Sequence, residues 1–390
     1  MLPSQRALFD LPDDVCFLNA ASYAPLPLAT LEAGRAAVGR KGRPWLIDND
    51  FAAQQYDRAR KAAARLIHAD ASDVALISSI SYGVATVAKI VAVPPGARVI
   101  VLHDDHSSPV LEWLTRAQNT DPAGAFTVDT VSAPSDHDWT SAVLAAIDKP
   151  GAPPVALVSI SSVHWADGAL LDMAAIARAV RAQGAVFAID ATQSAGVIDL
   201  DVRALDPDFV LFPTYKWLLG PYGRAFIYVA KRHQNGIPLE QTASGRKSVR
   251  AEQSRYFADT GYVGDARRFD MGERDHFISM EMASIGIEMM ADWGADAVAG
   301  RLGALTARLA DRLGDAMHDG RIAFPADKFR TPHIFSIDLR DGTPNEIAQK
   351  LAAQKIYVAP RLGRLRIGAH VYNDEADIDR FAAALLAAIS

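Results

Sequence analysis

Residues 188–223 read AIDATQSAGVIDLDVRALDPDFVLFPTYKWLLGPYG, and two short apolar runs frame that stretch. The first, AVFAI at residues 185–189, ends at Asp190; the second, FVLF at residues 209–212, leads through Pro213, Thr214 and Tyr215 to Lys216. Runs this short, and apolar throughout, predict strands buried on both faces, as in a parallel sheet covered by helices. The same pattern continues outward. Strand-like runs at residues 74–77, 98–102, 155–160 and 225–230 alternate with helical spacing at residues 27–66, 82–91, 110–118 and 172–183, the last stopped by Gly184. A long helical stretch occupies residues 280–318. Shorter strands (333–339, 364–367) and helices (344–354, 375–389) complete the chain. The expected fold is α/β: a large domain (27–285) around a central, mostly parallel sheet of the seven-stranded type, and a smaller C-terminal α+β domain (286–390). Residues 1–26 are expected to contribute to the site.

At 390 residues, half of them hydrophobic, the chain exceeds the size at which a single core usually splits. Its net charge of -6 is spread along the sequence, with no basic patch of the kind nucleic acid requires. The only cysteine, Cys16, excludes an internal disulfide and paired-thiolate metal sites, and no metal site is expected. The opening MLPSQRALFDLPDD lacks the basic-then-apolar order of a secretory signal, and no apolar run is long enough to span a bilayer. A cytoplasmic enzyme is the expectation, without nucleic-acid or membrane partners. Neither G-x-G-x-x-G nor G-x-x-x-x-G-K follows an early strand, which argues against a nucleotide-binding protein.

In a sheet of this kind the ligand lies beyond the carboxyl ends of the strands. Residues 78–81, 104–108, 161–165, 190–193 and 213–216 therefore become the candidate site, and all five segments are rich in polar side chains. Lys216 stands at a buried strand end, where lost solvation lowers an amine's pKa and frees it to form an imine with an aldehyde. A lysine is otherwise most often a solvated surface residue, so its neighbours must decide. Asp190 can keep a pyridine nitrogen protonated or merely cap the next helix; on this residue alone both readings stay open. Asp190, Gln193 and Lys216 together are more specific, because they put a pyridinium partner, a ring-oxygen donor and an imine lysine on adjacent strand ends.

The stretch at 188–223 resembles the class V aminotransferase family of fold-type I pyridoxal-phosphate enzymes, which includes cysteine desulfurases, kynureninases and isopenicillin-N-epimerase-like proteins. FLNAASYAPLP (17–27), SSISYGVATVAK (78–89), DDHSSPVLEW (104–113), RRFDMGERDHF (267–277) and LRIGAHVYNDEADIDRF (365–381) carry the likeness along nearly the whole chain. The resemblance implies that pyridoxal 5′-phosphate is held by Lys216 as a Schiff base, with Asp190 at the pyridine nitrogen and Gln193 at the ring hydroxyl. It places His106 as the aromatic stacked on the ring, with an ordinary loop histidine as the bland alternative. Ser79, Ile80 and Ser81 would grip the phosphate at a helix N-terminus, where amides and dipole favour a dianion, although a serine there is often only a cap. Thr214 and Tyr215 would add phosphate contacts. Arg366 would fork onto a substrate carboxylate, with Arg361 and Arg364 competing for that role. Asn19 and Trp165 would line the substrate pocket.

The sequence also departs from the family pattern. The segment VAPRLGRLRIGAH (358–370) has no cysteine where desulfurases carry their nucleophile, so a persulfide desulfurase is not expected. Trp165 stands where desulfurases carry an asparagine. Glu273 replaces the threonine with which some relatives reach a neighbour's phosphate. The resemblance implies a homodimer with shared active sites, to which residues 268–274 would contribute by other contacts. The expected reaction on an α-amino acid is transamination first, a C–S or other β-lyase second, and epimerisation third. A cofactor-binding protein without turnover is disfavoured by the intact Lys216, Asp190 and Arg366.

Overall fold

The computed structural model describes residues 2–249, 260–274 and 277–389. After a short strand, β1 (Cys16–Phe17), the chain lays down the helices α1 (Leu28–Lys41) and α2 (Asn49–Leu66). Seven strands then build the large sheet: β2 (Val74–Ile77), β3 (Arg98–Leu102), β4 (Thr127–Val131), β5 (Val155–Ser161), β6 (Val186–Asp190), β7 (Phe209–Pro213) and β8 (Ala225–Val229). Their order is β2-β8-β7-β6-β5-β3-β4, and β8 alone runs against its neighbours. The other six strands therefore point their carboxyl ends to one edge. Helices α3 (Ile80–Ile90), α4 (Ser107–Asn119), α5 (Trp139–Ile147), α6 (Met173–Ala182) and α7 (Val202–Leu205) connect them.

The period of two in the strands divides the core. In β3, Val99 and Val101 pack into the cluster shared with Val84 of α3 and Trp113 of α4, whereas Ile100 and Leu102 join Val143 of α5 and Ile176 of α6 on the opposite face. Both faces are covered. The strands can therefore be apolar throughout, which made them legible in the sequence.

The edge strand β4 was not anticipated. Its sequence TVDTV alternates and is largely accessible, so it shows no apolar run. Helix α5 escaped as well. The helical pattern at 27–66 is two helices separated by a turn at Pro44, and that at 280–318 is α8 (Ser279–Trp293) and α9 (Ala295–His318), parted by Gly294 at φ 80°. Helix α8 packs on α1 and α2 and runs unbroken through residues 285 and 286, where the domain boundary was expected.

The smaller sheet is antiparallel, ordered β12-β13-β10-β9 from β9 (Ile322–Ala323), β10 (Ile334–Leu339), β12 (Ala359–Arg361) and β13 (Arg364–Gly368). Helices α10 (Pro344–Ala352) and α11 (Glu375–Ala388), with α9, complete this domain. The N-terminal segment is sewn to it. Strand β1 pairs in parallel with β11 (Ile356–Tyr357), and the Ala20 amide donates to Gly368 O at 3.1 Å. The next residues are thus delivered between the two domains, where the Ala24 amide reaches Tyr215 O at 3.1 Å.

Candidate active site

The ends of β2, β3, β6 and β7 open onto a cavity of about 170 Å³ lined by Ser79, Ser81, His106, Ser108, Thr192 and Tyr215. Two helices aim their N-termini at it. Ser79 lies in extended backbone (φ −161°) and caps α3, its Oγ accepting from the Tyr82 amide at 3.1 Å. The helix therefore starts two residues earlier than expected, and Ser81 sits in its first turn. Helix α4 begins immediately after His106, and Ser108 Oγ lies 3.0 Å from Ser81 Oγ, so the two helix starts are joined. Amides and hydroxyls from both converge where a phosphate dianion would be stabilised by unpaired donors and by two dipoles. Sequence reading gave a phosphate role to one of these helix starts; Ser108 fell in the candidate segment 104–108 without a role of its own.

Lys216 is 6% exposed, and burial, followed by the charge of Arg366, brings its amine down to about 7. Near neutral pH half of such amines are unprotonated and nucleophilic. Asp190 ends β6, and its carboxylate counters the drop. Burial pushes the Asp190 carboxyl above its usual range, against hydrogen bonds from Thr192, whose amide donates at 2.8 Å. Among the described residues, the Thr192 amide is a hydrogen-bond partner of this carboxylate, at Oδ1. His106 projects at the cavity mouth, edge-on to the Trp165 indole with ring centres 5.9 Å apart. Next to it is Asp105, which lies in the candidate segment 104–108 but was given no role there. Asp105 accepts from the His106 amide (2.7 Å), the Ser161 amide (3.1 Å) and Ser161 Oγ (2.7 Å), and burial pushes its carboxyl up to about 6.

The three candidate arginines separate cleanly. Arg364 is neutralised by Asp338 at 2.8 Å and Asp167 at 3.5 Å. Arg366 is 2% exposed, donating to Trp165 O and Ser22 Oγ, both at 2.8 Å, while its Nε is buried without a partner. Arg361 donates to Ser22 Oγ at 3.0 Å. No local signal could have identified Ser22, because its partners lie more than 330 residues away. Asn19 precedes it, with a buried and unpartnered Oδ1. Trp165 is held by its own Nε1, which donates to Asp104 O at 2.7 Å. Tyr23 and Tyr222, neither anticipated, close around Tyr215 with ring centres 6.0 and 4.4 Å from it.

Other expected residues are engaged within the chain. Thr214 is fully buried and turned from the cavity, its single hydroxyl proton donated to Pro221 O at 2.6 Å. It braces the loop after Lys216 and is no phosphate contact. Gln193 gives one amide hydrogen to Ala21 O (3.2 Å) and accepts from Trp217 Nε1 (2.7 Å), which leaves one hydrogen for a ring oxygen. Arg268 is occupied by Val263 O at 3.0 Å, and Arg274 pairs with Asp270, so both are committed within their own chain. Residues 250–259 lie outside the described residues, as do 275 and 276 of the motif containing Glu273.

These groups fit a phosphorylated pyridine aldehyde. A buried carboxylate acts on a buried amine whose pKa is brought down to about 7, two helix starts meet at a cavity, and Arg366 Nε is buried without a partner.

Comparison with known proteins agrees. The family described as Aminotransferase class-V matches residues 48–381. The chain is 27% identical over 350 residues to the uncharacterized aminotransferase YcbU of Bacillus subtilis (strain 168), covering 87% of this chain and 84% of that protein. It is 28% identical over 396 residues to isopenicillin N epimerase of Streptomyces clavuligerus, covering 96% and 95%. The apo cysteine desulfurase of Thermococcus onnurineus NA1 superposes with a TM-score of 0.83 at 18% identity, over 98% of this chain and 97% of that one, a likeness of fold.

Proposed function

The chain belongs to the aminotransferase class-V family and is a pyridoxal 5′-phosphate enzyme, and from that premise we propose that it is an aminotransferase acting on an α-amino acid. What supports this reading is the likeness to an aminotransferase over 87% of the chain, together with a buried Lys216 amine brought down to about 7. When bound, the cofactor supplies an aldehyde for the substrate amine and a ring that accepts electrons from Cα. This chain's residues supply the rest. The starts of α3 and α4 hold the phosphate, His106 covers the ring, and Gln193 donates to its oxygen. Asp190 keeps a proton on the pyridine nitrogen. Arg366 Nε and Nη2 orient the substrate carboxylate. Lys216 Nζ then takes the Cα proton and returns it, a task suited to a base whose pKa lies near the working pH.

We also infer, against the cysteine desulfurases among its relatives, that persulfide chemistry is not its reaction. Cys16 is fully buried in β1, donates to Asp377 O at 3.4 Å, and burial pushes its thiol far above the ordinary range, so it forms no thiolate. We further propose a homodimer in the cytoplasm. Among the described residues no helix is long and apolar enough to cross a membrane. The exposed side chains of Val38, Trp45 and Leu46 on and after α1 offer a face for a second copy. The test is to incubate the yellow holoenzyme with amino acids. Transamination predicts loss of visible absorbance that a 2-oxo acid restores. Release of pyruvate and ammonia, without such reversal, would replace this reading with the β-lyase.

A further inference from the structure

Two guanidinium groups meet on one hydroxyl beside Lys216. Arg366 on β13 and Arg361 at the end of β12 donate to Ser22 Oγ at 2.8 and 3.0 Å. Both lone pairs of that oxygen are taken, so the Ser22 proton remains available to donate. Among the described residues, Arg361 otherwise donates only to its neighbour's carbonyl, Pro360 O, at 2.7 Å. Among the described residues no carboxylate pairs with Arg361 or Arg366. Arg364, between them in sequence, has two carboxylates. Converging like charges with no counterion, one of them buried, are costly unless a ligand brings the missing charge.

The backbone underlines this placement. The β12–β13 hairpin turns through two residues, Leu362 at φ 45° and Gly363 at φ 79°, with Arg361 paired to Arg364. A two-residue turn with both φ values positive suits asparagine or glycine at its first position. Leucine there is strained, and at 52% exposure it gains little packing in return. The tight turn holds Arg361 over Ser22. Asp190 is the one carboxylate acting on Lys216, opposed by Arg366 and Arg361. Once Asp190 serves the pyridine nitrogen and the helix starts serve the phosphate, a single substrate α-carboxylate leaves one guanidinium unmatched.

We propose that Arg361 and the Ser22 hydroxyl form a second anion subsite adjoining the α-carboxylate site of Arg366, so that the substrates are α-amino acids, and the matching 2-oxo acids, with a carboxylate in the side chain. This deepens the amino-acid reading above and rests on it. The guanidinium fork binds a carboxylate through two parallel N–H donors, and an uncharged amide in its place would leave the half-buried Arg361 without a counterion beside Arg366. Discrimination between an acid and its amide follows from that difference.

The experiment measures kcat/KM of the holoenzyme for L-glutamate, L-glutamine, L-aspartate and L-asparagine, in the wild type and in Arg361→Gln and Arg361→Lys. The wild type should prefer each acid over its amide by roughly 30-fold, as expected for one charge-assisted pair. Arg361→Gln should bring that ratio close to one, and Arg361→Lys should recover part of it. A wild-type ratio near one overturns the proposal. So does an Arg361→Gln variant that loses activity equally on all four substrates, since both arginines would then clamp one carboxylate. Should Arg361→Gln fail to fold, the wild-type ratio and Arg361→Lys decide. Absence of any spectral response to all four amino acids would instead bring down the amino-acid reading itself.

Discussion

Replacing Lys216 with methionine keeps the length and apolar body of the side chain and removes its amine. In the folded, cofactor-free chain that amine titrates at about 7, against an ordinary 10.5. Between those values the unfolded chain holds a proton on this lysine that the folded chain lacks, so stability rises with pH across the window by about 1.4 kcal/mol per pH unit. Below about 7 both states are protonated, and the fold bears the full cost of a buried cation, about 5 kcal/mol as an upper bound. From pH 6 to pH 9 the wild-type chain should therefore gain about 2–3 kcal/mol on Lys216→Met. Urea unfolding of the two cofactor-free proteins at both pH values, followed by tryptophan fluorescence, measures the change. Comparing the two chains cancels the contributions of distant titrating groups. Lys216→Met should be the more stable protein at pH 6, and its advantage should shrink by pH 9. A difference that stays flat, within on the order of 0.5 kcal/mol, would mean a hydrated amine with an ordinary pKa. The account of its reactivity would then fail.

Two further outcomes follow from the geometry. Asp190→Asn preserves shape but not charge, so kcat should fall by about 100-fold or more while the cofactor survives dialysis; near-normal kcat would remove Asp190 from the pyridine nitrogen. Gly286 of α8 lies against the loop after Lys216, and an added Cβ would fall 2.7 Å from Leu219 O and closer still to Leu218 O. Gly286→Ala should therefore cost about 1–3 kcal/mol in chemical unfolding and weaken cofactor retention, whereas unchanged stability would show the loop free to move.

Sequence alone determined the large sheet, because strands buried on both faces must be apolar along their whole length, and β2, β3, β5, β6, β7 and β8 all show it. Strand β4 was hidden for the complementary reason: at a half-exposed edge nothing forces its side chains to be apolar. Strand ends were legible too, and with them the position of Lys216, Asp190, His106 and Ser79–Ser81 after β7, β6, β3 and β2. Only the tertiary structure could decide among Arg361, Arg364 and Arg366. Charge compensation depends on which carboxylates arrive from elsewhere, and Asp338 and Asp167 reach Arg364 alone. Ser22 joins the other two from more than 330 residues away because β1 pairs with β11 and carries the N-terminal segment between the domains. The orientation of Thr214 was hidden on the same ground: a hydroxyl two residues before Lys216 can face a ligand or its own loop, and in the fold it donates to Pro221 O.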